Sequence, residues 1–337
     1  KRVERRFGWD CHGLPPEMEA EKELKVSGRQ AIQEYGIDKF NEHCRTSVMR
    51  YTKEWEVAVT RQARWVDFKR DYKTMDLSYM ESILWAFKEL HSKGLIYEGF
   101  RVMPYSWACQ TPLSNFEIRM DNATRPRQDP AVTVAFTLEP KGGAAKREKI
   151  LVWTTTPWTL PSNLALAVGA EIDYAVMELN GEHLILAEAV LKKYEPQLKG
   201  ANKVETIKGK DLVGRTYTPL FPYFAKQPGA FRVLAGEFVA TEEGTGTVHM
   251  APGFGEDDFK LCQANNIGIV CPVDDGGKFT SDVSDYQGLQ VFDANKEIIK
   301  RLKDTGVLIR HDTYTHNYPH CWRTDTPIIY RALTSWY

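Results

Sequence analysis

The chain of 337 residues is 42% hydrophobic, enough to bury one large core or two modest ones. Its net charge of −1 and sequence pI of about 6.8 give no global attraction to a polyanion, so any RNA contact must come from a local basic patch. No apolar run approaches the roughly 18 residues of a membrane span, and the opening KRVERRFG is followed by no hydrophobic signal core, which argues against secretion and membrane insertion.

Six cysteines (Cys11, Cys44, Cys109, Cys262, Cys271, Cys321) are scattered without paired spacing, as expected of free thiols in a reducing cytosol. A cytoplasmic protein is the expectation. The first residue, Lys1, and the last, Tyr337 after a Trp, suggest a piece of a longer chain.

Pro15 and Pro16 precede EMEAEKELKV, a helix start with acidic residues in its first turn and a stop at Gly28. After Gly36, Ile37, Phe40, Cys44, Val48, Tyr51 and Trp55 step by three or four and predict a second amphipathic helix. Ser78 to Glu81 has the form of a capping box, and Met80, Ile83, Leu84, Phe87 and Leu90 form one apolar face before Gly94. These stripes read as ordinary core faces, so the first hundred residues are expected to be mostly helical and to hold no ligand.

From Ala131 the period changes to two, with Val132, Val134, Phe136 and Leu138 on one face. Lys141-Gly142-Gly143 could turn that strand back into Ile150 to Thr155. Tyr174 to Leu179, Asn180-Gly181 and His183 to Ala187 form the clearest hairpin signal. Short strands are expected at Phe231 to Ala235, Glu237 to Thr241 and Gly246 to Met250, and helices at Glu256 to Ala264 and Ala294 to Thr305. Many short strands with tight turns predict a compact barrel or sandwich. The layout is that of an insertion, with two ends that belong together around a middle that folds on its own.

Two stretches carry chemistry. WTTTPWTLPSN (Trp153 to Asn163) places three Thr hydroxyls where an apolar strand surfaces, just before Pro157 stops the ladder. GTGTVHMAPGFGEDD (Gly244 to Asp258) lies about ninety residues further on, with His249 at another strand end and a carboxylate pair opening a helix. Each has an ordinary reading alone, since Thr is common in strands, a lone His is usually structural, and Asp257 or Asp258 could simply cap a helix. Together they would line one pocket if the fold joins them.

In this wording the two stretches resemble the editing motifs of the isoleucyl-tRNA synthetase family. GWDCHGLPPE (Gly8 to Glu17) and YPHCWRTDTP (Tyr318 to Pro327) are similar to the catalytic-domain text on either side, so the resemblance spans nearly the whole chain. It departs at Pro16, where an aliphatic residue is expected. The valine and leucine enzymes usually carry Arg after the paired Thr and an acidic residue two positions later; Thr156 and Trp158 stand there.

The resemblance implies an α+β chain: a β-barrel-like editing domain with peripheral helices over 126–310, a mainly helical catalytic-domain segment over 1–125, and a return segment over 311–337. It implies hydrolysis of Val-tRNA(Ile), with tRNA(Ile), its aminoacylated 3′ end and the rest of the synthetase as partners. Isoleucine synthetases are themselves the usual illustration that one methylene gives only about 1 to 3 kcal/mol of discrimination, so that figure is not deduced from this chain.

An aminoacyl ester is already activated, so clearing it needs a positioned water more than a strong nucleophile. The resemblance assigns Thr154, Thr155 and Thr156 to holding the terminal ribose and that water, with Trp158, Thr159 and Asn163 as supporting contacts. Asp258 is expected to bind the α-ammonium through a charge-assisted hydrogen bond, and Asp257 to face solvent or cap the helix. His249 could bind ribose or substrate or act as general base; positioning is favoured, because no second carboxylate at a suggestive spacing orients the ring.

Asp10 and His12 would belong to the synthetic site by resemblance, and as residues read as a solvated turn. The HIGH and KMSKS signatures are absent, so ATP and Mg are expected to serve only the full-length reaction; editing needs no cofactor. Cys109, Cys321, His316 and His320 are zinc-type ligands, but neither half carries CxxC, and a knuckle-like pair without metal is the expectation. Lys192, Lys193, Lys199, Lys203, Lys208, Lys210 and Arg215 are candidates for the tRNA backbone, although such runs are usually solvated faces. A noncatalytic RNA-binding or assembly module and a free-standing small-ester hydrolase remain as competing readings.

Overall fold

A computed structural model describes residues 3–140 and 146–337. The proposed Lys141-Gly142-Gly143 turn lies outside the described residues. The chain divides into two compact units, residues 1–99 with 336–337 and residues 100–335.

The first unit holds β1 (Arg6–Trp9), four helices α1 (Leu14–Leu24), α2 (Gly28–Tyr35), α3 (Ile37–Val48) and α4 (Thr52–Arg61), then β2 (Asp67–Lys73) and α5 (Leu77–Ser92). β1 and β2 pair in parallel. α1 stops at Leu24 rather than running to Gly28, because Lys25 takes the left-handed conformation and its N–H turns back to the Glu21 carbonyl. The stripe predicted from Ile37 to Trp55 is split between α3 and α4 by the non-helical link at Met49 to Tyr51.

Two further expectations for this unit fail. The helix at Ser78 begins one residue earlier, with Asp76 in the cap position and its Oδ2 accepting from the Lys73 N–H at 3.1 Å; Ser78 lies inside α5, so Ser78 to Glu81 is not a capping box. The apolar stripe of α5 is no ordinary core face either. Ile83 is 54% exposed and Leu84 67%, while the buried hydrophobic residues of this unit are few: Cys11, Ala20, Phe40 and Val59. The sequence period reports which face is apolar, not whether anything covers it.

The second unit opens with β3 (Glu98–Ser106) and β4 (Thr111–Pro112), which form a three-stranded sheet with the distant β14 (Ile329–Trp336) in the order β14-β3-β4. β5 (Thr124–Thr137), β6 (Glu148–Thr154), β8 (Asp173–Leu179), β9 (Glu182–Ala187), β10 (Asn202–Lys208) and β13 (Leu308–Pro319) make a six-stranded sheet ordered β10-β8-β9-β6-β5-β13. β7 (Ala165–Val168) is the centre of a second sheet, parallel to β11 (Arg232–Ala235) and antiparallel to β12 (Thr247–Met250). Helices α6 (Gly209–Leu212), α7 (Glu256–Ala264) and α8 (Val291–Asp304) complete it. This is the α+β class that the sequence predicts, built on mixed sheets.

The hairpin forms as read: Asn180 and Gly181 both have positive φ, 51° and 81°, matching the right-handed twist of β8 and β9. In β5 the run from Val132 to Phe136 is buried on both faces, and even Thr133 is fully buried with its hydroxyl 2.9 Å from the Tyr194 phenol. Glu237 to Thr241 is not a strand. Both edges of β7 are taken by β11 and β12, so the segment joining those two must cross from one edge to the other and runs as turns.

That crossing ends at Gly246, whose φ is +75° and whose added Cβ would lie 2.4 Å from the Cβ of Ala187. Gly246→Ala is therefore expected to cost about 2 to 3 kcal/mol, from left-handed strain plus overpacking. Calorimetry should show Tm falling by roughly 5 to 10 °C.

Candidate active site

The two motif stretches meet. Pro157 cuts β6 short after Thr154 and starts a turn of 3₁₀ helix over Pro157–Ser162, which folds the threonine side chains back over the strand end. β12 brings His249 opposite Leu166 of β7, and α7 starts directly after, so its first turn presents Asp258 toward the same space. Thr154, Thr156, Thr159, His249 and Asp258, with Trp153, Val248, Ala251 and Phe254, line one cavity of about 210 Å³.

Thr154 Oγ1 and Thr156 Oγ1 are 3.2 Å apart, and the Thr156 hydroxyl is 3.2 Å from that of Thr159. Thr154 Oγ1 also accepts from the Thr156 N–H at 3.1 Å. Thr159 Oγ1 lies 2.7 Å from His249 Nε2, and its hydroxyl donates to the Thr156 carbonyl at 2.8 Å. On the far side of the imidazole, Asn163 Nδ2 is 3.2 Å from Nδ1. Hydrogen bonds thus string these polar side chains along one wall.

Burial depresses the pKa of His249 to about 4, so the ring is neutral throughout the physiological range. Burial also lifts the carboxyl of Asp258 to about 7; the Ala251 N–H, which donates to Oδ2 at 2.8 Å, opposes the rise, and the neighbouring Asp257 adds to it. A nearby cation would bring this carboxyl back toward its charged form.

Other predicted residues fall elsewhere. Thr155 is half-buried and not among the residues lining the cavity, and Asn163 stands behind His249 as its orienting partner. Trp158 is buried, with its ring edge-on to Phe254 at 4.9 Å and its backbone N–H donating to Asn295 Oδ1 at 2.9 Å; it supports the wall through Phe254. Asp257 is exposed. Asp10 is exposed, with the His12 N–H 3.5 Å from its Oδ1, and His12 borders a separate opening of about 300 Å³ with Glu17, Phe40 and Cys44.

The zinc-type residues do not converge. Cys109 and Cys321 have their sulfurs 3.9 Å apart, but His316 Nε2 lies 2.9 Å from Asp129 Oδ2 and His320 Nδ1 donates to the Tyr318 carbonyl. Among the described residues no group of three or more His, Cys, Asp or Glu is placed to hold a metal ion. Much of the basic run is already matched: Lys203 with Glu188 at 2.5 Å, Lys208 with Asp173 at 2.9 Å and Arg215 with Glu148 at 2.7 Å. Lys192 and Lys199 instead border an open groove with Met177, Leu191 and Leu198.

Sequence reading missed Val248, Ala251 and Phe254 as lining residues, although all three sit inside the second motif. It also missed Tyr217, whose hydroxyl donates to Asn163 Oδ1 at 2.6 Å and which carries no local signal.

The family model for tRNA synthetases class I (I, L, M and V) matches residues 1–337. The isoleucine–tRNA ligase of Rickettsia conorii is 60% identical over 343 residues, covering 100% of this chain and 31% of that protein. That of Rickettsia prowazekii is 58% identical over 354 residues, covering 100% of this chain and 33% of that protein. The chain thus spans about a third of the length of these curated relatives. The crystal structure of a P. knowlesi cytosolic leucyl-tRNA synthetase editing domain aligns with a TM-score of 0.43 at 11% identity, over 58% of this chain and 99% of that one. Matched from end to end by the family model, the chain belongs to the tRNA synthetases of class I (I, L, M and V).

Proposed function

We propose that this chain carries the editing site of an isoleucine–tRNA ligase and hydrolyses valine esterified to tRNA(Ile). The observation that supports the reading is the meeting of the threonine wall, a neutral His249 and the under-compensated Asp258 in one small cavity.

In this mechanism the α-ammonium of the attached amino acid pairs with Asp258, which restores the carboxylate to its charged form and fixes the scissile carbonyl. Thr154 and Thr156 hold the attacking water and the terminal ribose by hydroxyl hydrogen bonds, and Thr155 remains a candidate for the ribose. The proton leaves with the ribose oxygen. His249 shapes and orients rather than abstracts, since both ring nitrogens are already engaged. Phe254, Val248 and the threonine methyls limit the side-chain space, so valine enters and isoleucine does not. Lys192 and Lys199 are the candidates for the tRNA backbone, the exposed stripe of α5 suits the rest of the synthetase chain, and residues 126–310 form the editing domain between flanks 1–125 and 311–337. ATP and Mg belong to the full-length synthetic reaction alone.

The test is deacylation of Val-tRNA(Ile) and Ile-tRNA(Ile) by the 337-residue chain. Release of valine at least about 100-fold faster than isoleucine is expected, because steric exclusion from a rigid pocket exceeds what one methylene gives in affinity. A binding module would leave both esters intact.

A further inference from the structure

The Asn163 side chain is oriented by two partners that leave no ambiguity. Its Nδ2 lies 2.9 Å from the Ala165 carbonyl, which can only accept, so Oδ1 is the atom turned to Tyr217 at 2.6 Å. Tyr217 is buried, with its ring edge-on to Phe136 at 5.2 Å and to Phe231 at 5.9 Å. Burial raises its phenol well above the usual tyrosine range, so the hydroxyl keeps its proton and donates.

The second Nδ2 hydrogen of Asn163 then points at His249 Nδ1, 3.2 Å away, and makes that nitrogen an acceptor. A neutral imidazole with a lone pair on Nδ1 carries its proton on Nε2. From there the direction of each bond follows. Nε2–H donates to Thr159 Oγ1, whose own proton goes to the Thr156 carbonyl. The Thr156 hydroxyl donates to Thr159 Oγ1, and the Thr154 hydroxyl to Thr156 Oγ1. Thr154 and Thr156 each retain acceptor capacity for the cavity, where a water that donates to them keeps its own lone pair for a carbonyl carbon.

We infer that Tyr217, outside the cavity, is a positioning residue: together with the Ala165 carbonyl it orients Asn163, which holds His249 in the Nε2–H tautomer and so sets the donor direction along the threonine wall. The inference rests on the reading of this cavity as the hydrolytic site.

Tyr217→Phe keeps the ring between Phe136 and Phe231 and removes only the hydroxyl. Nitrogen-15 NMR of the labelled His249 ring should show a single Nε2–H form in the wild-type chain and a population with the proton on Nδ1 in the variant, because the stranded Asn163 Oδ1 then competes for a ring proton against the hold of the Ala165 carbonyl on Nδ2. Val-tRNA deacylation should lose about tenfold in kcat with KM little changed, the size expected for one positioned hydrogen bond. A wild-type ring protonated on Nδ1, or a variant whose ring spectrum matches wild type, overturns the assignment; the first of these needs no variant to fold. Absence of deacylation by the wild-type chain, with the ring behaving as stated, leaves Tyr217 in its role and refutes the hydrolytic reading instead.

Discussion

Exchanging Asp258 for Asn is expected to slow hydrolysis severely while making the unliganded protein more stable at alkaline pH. The amide cannot neutralise an ammonium, so the loss in Val-tRNA deacylation should reach about 100-fold or more, the worth of a charge-assisted bond in a partly dry site. The stability effect runs the other way. In the unfolded chain Asp258 ionises around 3.8, and in the folded one around 7. Below 3.8 both states are protonated and nothing is lost. As pH rises toward 7 the unfolded chain gives up its proton while the folded chain keeps it, so stability falls, by at most about 4 kcal/mol once pH exceeds 7. The Asp258→Asn variant escapes this loss, and its side-chain oxygen can still accept the Ala251 N–H. Tm measured across roughly pH 4 to 8 should therefore diverge between the two proteins as pH rises. A constant gap, or a variant that deacylates at the wild-type rate, contradicts the account.

Thr159→Val should be the most damaging change of near-constant shape. It strands the buried His249 Nε2–H, whose partner is Thr159 Oγ1, and takes away the acceptor of the Thr156 hydroxyl, while the Thr156 carbonyl keeps the Thr159 backbone N–H at 2.9 Å. An unmade bond at a buried group costs about 1 to 3 kcal/mol, so denaturant unfolding should show a loss of that size. Single-turnover deacylation should slow by about 100-fold, because the wall that holds the water loses its central link. Thr159→Ser, which keeps the hydroxyl, should recover most of both. Wild-type behaviour of the Thr159→Val variant would show that the hydrogen-bonded wall has no part in the reaction.

Much of this is legible in the sequence wherever local chemistry decides the outcome. Asn180-Gly181 announces its hairpin because few other pairs accept positive φ twice, and α7 is announced by three acidic residues in its first turn. The candidate site is readable for a different reason: Thr154, Thr156, Thr159, His249 and Asp258 lie in two short motifs. What escapes depends on neighbours distant in the chain. Glu237 to Thr241 has strand-like residues but joins β11 to β12 on opposite edges of β7, and α5 has a core-like face that is largely exposed. Tyr217 reaches Asn163 across 54 positions of sequence, and no spacing rule connects them.

The separation of the two motifs has a consequence for how activity arises during synthesis. The β8–β9 hairpin can close as soon as it is made, but Thr159 and His249 are 90 residues apart, and their meeting requires β7 to have found β12 on its far edge. Early folding species therefore contain native pieces and no pocket. On the proposed reading, ester cleavage would begin only when that long-range pairing is complete.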